Sequence, residues 1–241
     1  MSLTAPHQSL NFPVSNHILA ALPQEEYRRL LLELVPARLP RGRVLWEAGE
    51  PIRHGYFLLS GMTSLLSTTE DGASIEVAMV GREGFAGLPA VLKFEAAPYK
   101  VVAQLPTTAL KIPIGRLNQE FARGGRMQEL LLRFTCALLA QIAQSASCAR
   151  FHTTEQRLSR WLLIARDRAD SDELPLTHEF LAQMIGCPRT SVSGVTGRLE
   201  KLGVISQHRG RVRVRDLAGL RKSSCECYRT ITEGIERFLA A

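Results

Sequence analysis

Residues 176–214 read LTHEFLAQMIGCPRTSVSGVTGRLEKLGVISQHRGRVRV, and this stretch decides the fold. Thr177 can cap a helix N-terminus, and Leu181, Met184 and Ile185 follow it at helical spacing. Gly186 breaks that helix. Pro188 suits the first turn of a second one, on which Val192, Val195, Leu199 and Leu202 fall three and four apart. Two helices joined by a tight Gly-containing turn predict a helix-turn-helix. After Gly203, Val204-Ile205-Ser206 and the alternating Arg211-Val212-Arg213-Val214-Arg215 predict two short strands around the basic turn His208-Arg209-Gly210. An ordinary helical hairpin in a core would show the same helical spacing but has no need of the charge. Between Cys187 and Arg215, seven basic residues (Arg189, Arg198, Lys201, Arg209, Arg211, Arg213, Arg215) stand against one acid, Glu200. The local net charge is +6, in a chain whose total is +7. Each phosphate contact made by such a cluster releases condensed counterions, so the expected partner is double-stranded DNA.

The order Thr177, Leu181-Ala182, Gly186-Cys187, Arg189, Val192 resembles the DNA-binding domain of the Crp–Fnr superfamily of bacterial transcription regulators. The resemblance implies that Arg189 opens the recognition helix and reads guanine through two hydrogen bonds, to O6 and N7. Thr190 and Gly194 stand where the best-known members carry a Glu and a second Arg, which implies a different half-site. Thr190, Ser191 and Ser193 can reach bases or phosphates but discriminate weakly. Thr177, with the helix N-terminus behind it, suits one backbone phosphate, and His208, Arg209 and Arg211 of the wing suit another.

Upstream, 241 residues with 45% hydrophobic and 22% charged content are enough for two modest domains. No run of 18 uncharged apolar residues and no basic-then-apolar leader is seen, so the expectation is a cytoplasmic protein without a membrane partner. Residues 1–14 are polar, unpatterned and expected to be mobile. His17 to Leu34 reads as helix with a restart at Pro23. From Val35 to about Ile114 short strands alternate with turns: Val44–Trp46, Gly55–Leu59, Thr63–Ser67 and Ser74–Ala78 are separated by Gly49-Glu50-Pro51, Ser60-Gly61 and Asp71-Gly72. The ordered series Gly42, Gly49, Gly61, Gly72 and Gly81 resembles the cyclic-nucleotide-binding β-roll of the same superfamily. The fold class is therefore α+β, with a cyclic-nucleotide-binding-like β-roll or jelly roll over 1–125. A dimerisation helix over 126–152, a winged helix-turn-helix over 153–216 and a helical extension over 217–241 complete it.

The roll departs from the family where a ligand would sit. The resemblance implies a Glu for the ribose and an Arg-Ser pair for the cyclic phosphate. Register on Gly87 puts Leu88 at the first position, and register on residues 101–105 puts Ala97-Pro98 at the second. Neither Ala nor Pro supplies a cation, and Pro lacks an amide proton. Arg82 and Lys100 are the possible substitutes. The Thr-Ser pair that meets the base falls near Ile142-Ala143. A pocket lined by Arg82, Gly87, Leu88, Ala97, Pro98, Lys100 and Ile142 would bind a small molecule other than cyclic AMP or cyclic GMP, or none.

No cysteine precedes Cys136, so the N-terminal iron–sulfur cluster of some relatives is not supported. A haem ligand would have to come from His17, His54 or Met62, and a lone His is more often a core or surface residue. No resident cofactor is expected. Cys225-Glu226-Cys227 could join a metal or redox site, yet no second pair lies nearby in sequence. Two thiols on a structural helix is the plainer reading, and no metal site is expected. Along 126–151, Leu131, Phe134, Leu138, Gln141, Ser145 and Cys148 repeat three and four apart, which predicts a coiled-coil seam. The superfamily uses this helix to pair two subunits, so a parallel homodimer is implied; the other reading packs the stripe on its own roll. Asp216 to Ala241 reads as an amphipathic helix buried on its own domain, on the partner or on another protein. The expected function is that of a homodimeric regulator on palindromic operators, with RNA polymerase as a further partner. A regulator of the same fold, active without effector or gated by thiol oxidation, is the alternative. An enzyme carrying the roll as a regulatory domain lacks support, because no Gly-rich phosphate loop, His-Glu metal motif or Gly-x-Ser-x-Gly is present.

Overall fold

The computed structural model describes residues 15–240, so the polar leader (1–14) lies outside the described residues. Two short helices, α1 (His17–Ala20) and α2 (Gln24–Leu31), precede the roll. The roll's strands are β1 (Val35–Leu39), β2 (Val44–Trp46), β3 (His54–Ser60), β4 (Thr63–Thr68) and β5 (Ser74–Val80). After β6 (Phe85–Ala86) and the one-turn α3 (Leu88–Val91) come β7 (Lys100–Ala103) and β8 (Thr107–Pro113). They form two antiparallel sheets, ordered β1-β8-β3-β6 and β2-β7-β4-β5. Phe57, Leu58, Leu65, Phe85, Val101, Leu110 and Ile112 fill the roll's core.

The roll is closed tightly at one point. Gly87 has φ +132°, and a Cβ there would lie 2.9 Å from the Cα of Gly55. Only glycine serves at such an approach.

Helix α4 (Ile114–Ala122) leads into the 27-residue α5 (Gly125–Phe151). Its N-terminus is capped from a distance, with the Glu26 carboxylate of α2 accepting from the amides of Arg126 (3.0 Å) and Met127 (2.8 Å). By length and composition α5 is the one described helix that could cross a membrane. Its inner face is instead committed to the roll.

That commitment corrects the expected seam. Leu131, Phe134, Leu138 and Gln141 are all buried within their own chain, the first three inside the roll's core. Gln141 donates to the Met79 carbonyl of β5 at 2.9 Å, and Ser145 is half-buried. The stripe was legible, but its neighbours are β5 and the C-terminal helix rather than a second chain. The apolar stripe left open runs one residue over: Leu132 is 46% and Leu139 60% exposed, with Cys136, Ala140 and Ala143 also open.

Thr153 caps α6 (Thr154–Ala169) in a capping box with Gln156. A two-residue strand, β9 (Glu173–Leu174), follows, then α7 (His178–Ile185), α8 (Arg189–Lys201) and the hairpin β10 (Ile205–His208)–β11 (Arg211–Val214). The wing is therefore three-stranded, in the order β10-β11-β9. Trp161, Leu162, Leu181, Ile185, Val192, Leu199 and Val212 make this domain's core, and Met62, Leu66, Met79 and Val102 of the roll belong to the same cluster. The two domains share buried surface.

The expected single terminal helix is broken into α9 (Leu217–Ser223) and α10 (Cys227–Ala240), because Ser224 takes an extended conformation. The amphipathic face is buried on its own chain but on both domains: Ile231 joins the DNA-binding domain's core and Phe238 the roll's. Phe238 packs against Phe134 of α5 with the rings tilted and their centroids 5.6 Å apart.

Candidate nucleic-acid interface

Helix α7 begins at Thr177, whose side chain accepts from the Phe180 amide at 3.2 Å, and ends at Gly186 with φ +59°. A Cβ on Gly186 would meet Ile75 Cδ1 at 2.6 Å, so the turn of the helix-turn-helix sits directly on β5. Pro188 is the N-cap of α8 rather than its first residue, which leaves Arg189 at the first helical position. There its side chain is 68% exposed, with Glu179 3.9 Å away. In the wing, His208 pairs with Arg211 and leaves a two-residue loop, Arg209-Gly210, with φ +43° and +75°. Positive φ at both positions is the geometry of a tight hairpin turn, and it lifts the Arg209 side chain to the tip.

These elements enclose one concavity of about 360 Å³. Thr177, Arg189, His208, Arg209 and Arg211 all line it, so five of the eight expected contacts converge on one surface. Thr190 and Ser193 are exposed farther along α8, and Ser191 is half-buried.

One residue of the interface was missed in the sequence. His178 lies 2.9 Å from Ser193 Oγ through Nδ1 and 3.2 Å from Thr196 Oγ1 through Nε2, and it also bonds Gln207 of β10. It thereby ties α7, α8 and the wing together. No spacing rule marks it, because its three partners are 15 to 29 residues away.

The charge is less free than its local excess suggested. Acids from outside that window reach in: Glu155 pairs with Arg198 at 2.6 Å and Glu173 with Arg211 at 2.7 Å. Exposed pairs of this kind are weak and can open to a phosphate.

The expected effector residues do not share a cavity. Leu88 and Ala97 are packed into the roll's core, and Ile142 lies against it. Arg82 instead lines a cleft of about 310 Å³ with His17, Arg168 and Ile235, between the roll, α6 and α10. Lys100 lines a different groove, between β2, β7 and α7, and pairs with Glu47 at 2.9 Å. Pro98 is exposed, and Gly87 faces Gly55. Of the positions that the family register assigns to ligand contacts, Leu88 and Ala97 are thus apolar and buried. Among the haem candidates, Met62 is fully buried between the two domains, His17 lies beside Arg82, and His54 lies in a groove with Trp46. Burial lowers the pKa of both histidines.

Cys225 and Cys227 are not thiols on one helix. Cys225 lies in the α9–α10 break, Cys227 opens α10, and both meet Cys148 and His152 from the end of α5.

Fold and site together define a class: a DNA-binding transcription regulator in which a β-roll is joined through a long helix to a winged helix-turn-helix. Residues 36–123 match the family model of the cyclic nucleotide-binding domain, and residues 156–223 that of the Crp-like helix-turn-helix domain. The chain is 28% identical over 183 residues to the global nitrogen regulator of Nostoc sp., covering 72% of this chain and 82% of that protein. It is 26% identical over 207 residues to the global nitrogen regulator of Synechocystis sp., covering 80% and 92%. Among solved structures, FixK2 from Bradyrhizobium japonicum superposes with TM-score 0.68 at 15% identity, over 80% of this chain and 98% of that one. A CRP-family transcriptional regulator from Thermus thermophilus gives 0.67 at 22%, over 78% and 96%. The chain belongs to the Crp–Fnr superfamily of transcription regulators.

Proposed function

We propose that the protein binds a palindromic operator as a parallel homodimer, the two chains meeting along Leu132, Cys136, Leu139 and Ala143 of α5. The observation that carries this reading is the open stripe itself, apolar and spaced four, three and four residues apart on a helix whose other apolar stripe, Leu131, Phe134 and Leu138, is buried in its own chain. A two-fold pairing along such a stripe sets each residue against its own copy. It would hold two recognition helices about one DNA turn apart. In each half-site Arg189 reads a guanine, Thr190, Ser191 and Ser193 contact neighbouring bases or phosphates, and Thr177, His208, Arg209 and Arg211 hold the backbone. The protein acts in the cytoplasm, where its DNA lies. Its effector, if it uses one, is not a cyclic nucleotide, because Leu88 and Ala97 are core residues with no group to offer a phosphate.

Leu139→Asp tests the pairing. The variant is expected to sediment as a monomer and to lose binding to a palindrome selected from random DNA by the native protein. A dimer that persists in Leu139→Asp, with the palindrome still bound, would refute this interface.

A further inference from the structure

Four side chains with metal-binding atoms meet where the long helix ends. Cys148 and His152, one turn apart at the C-terminus of α5, face Cys225 in the α9–α10 break and Cys227 at the start of α10, and all four ligand atoms lie within 4.8 Å of one another. The three cysteines are buried and His152 is half-buried. Cys148 Sγ and Cys225 Sγ are 3.6 Å apart, and Cys227 Sγ is 3.5 Å from His152 Nδ1.

A tetrahedron built on Zn–S bonds of about 2.3 Å and a Zn–N bond of about 2.05 Å has S···S edges of about 3.8 Å and S···N edges of about 3.6 Å. The two observed separations match those edges. An iron–sulfur cluster places several iron and sulfide atoms between its cysteines and needs them farther apart. The spacing therefore selects a single ion.

The surroundings point the same way. With Nδ1 of His152 turned toward the thiols, its Nε2 lies 3.2 Å from Glu226 Oε1. A carboxylate on the far nitrogen fixes the tautomer and ring orientation of a ligating imidazole. Gln144 Nε2 donates to Cys227 Sγ at 3.0 Å. Three thiolates and a neutral imidazole around a divalent ion leave one negative charge. The buried guanidinium of Arg160, which acts on Cys148 through its charge, is placed to offset it. Arg160 Nε has no hydrogen-bond partner among the described residues.

We propose that Cys148, His152, Cys225 and Cys227 form a mononuclear, three-cysteine and one-histidine site for a tetrahedral thiophilic divalent cation, zinc(II) foremost. Four protein ligands leave no open position, so the site is structural rather than catalytic. It fastens the α9–α10 break to the end of α5, next to the Thr153 cap where the DNA-binding domain begins. A thiol ligates as the thiolate and must lose its proton to do so. Binding must therefore release protons, and affinity falls as pH is lowered.

The test uses the full chain, purified with reductant and loaded with zinc or cobalt(II). Elemental analysis should find zinc equimolar with protein, and cobalt should give the intense visible bands of a tetrahedral thiolate site. Cys225→Ser and Cys227→Ser, each checked for a native circular dichroism spectrum, should fall to trace metal. Cys136→Ser and Cys187→Ser, which alter the two cysteines outside the cluster, should keep the full complement. The proposal is overturned if the reduced native chain takes up no metal. It is also overturned if the Cys225→Ser, Cys227→Ser double variant binds as much as the native chain, or if Cys148 and Cys225 are found only as a disulfide in protein that never loads.

Discussion

The DNA-binding surface and the interior of the β-roll belong to the same chain but treat their polar groups in opposite ways. In the former, Thr177, Arg189, His208, Arg209 and Arg211 come from two helices and a hairpin and all turn outward into one concavity. In the latter, the turn glycines and strand order are intact, yet Leu88 and Ala97 have joined Phe57 and Phe85 inside the core. The two regions make different demands on the chain, because turns need only backbone freedom whereas an anion needs specific donors. The roll also presents a surface to the DNA-binding domain. Its edge strand β5 carries Ser74 and Glu76 to the DNA-binding domain, where Gln183 donates to Ser74 and Trp161 to Glu76, both at 2.8 Å.

The sharpest way to break that contact is Arg168→Ala. Arg168 reaches from α6 to the Glu83 carboxylate at 2.8 Å, and both side chains are almost fully buried. Removing one partner strands the other, so a loss of about 3–5 kcal/mol is expected in denaturant unfolding. If Arg168→Ala unfolds at the native midpoint, the domains are not held together there.

A second probe is pH. Burial is the main cause that pushes the Glu76 carboxyl up to about 7 from its ordinary 4.5, against hydrogen bonds from Ser64 and Trp161 that favour its charge. The folded state thus holds this proton more tightly than the unfolded chain. The associated stability is complete below about pH 4.5, declines between there and about 7, and is gone above. The change is on the order of 3 kcal/mol. Glu76→Gln should flatten that part of a stability–pH profile; an unchanged profile would mean Glu76 is not the titrating group.

The smallest effect sharpens the other side of the comparison. Arg189→Ala should cost about 1–3 kcal/mol in operator affinity and relax preference at one base pair, read by binding to a set of single-base operator variants. A uniform loss across all variants would make Arg189 a backbone contact.

The helix-turn-helix and wing were legible because helical spacing, Gly186 and the alternation from Arg211 to Val214 are all local signals. The rest needed the third dimension. On α5 two adjacent stripes are apolar, and periodicity cannot say which one β5 and α10 will cover. In sequence Leu131, Phe134 and Leu138 read as the partner's side, although they face the roll. Register on Gly87 led to Leu88 and register on residues 101–105 to Ala97, both of which are core residues, while Arg82 and Lys100 line separate grooves that no linear alignment distinguishes. The two-residue strand β9 has too little pattern to register in sequence. Cys148 and His152 are more than seventy residues from Cys225 and Cys227. Only the return of α10 along α5 brings the four together.

That return of α10 has a thermodynamic consequence. Ile231 and Phe238 sit on one 14-residue helix, and each is a member of a different domain's core. Neither core can melt without uncovering apolar surface on a helix the other still holds. The two domains are therefore expected to unfold as a single cooperative unit, and heating should give one concerted transition instead of two separate ones.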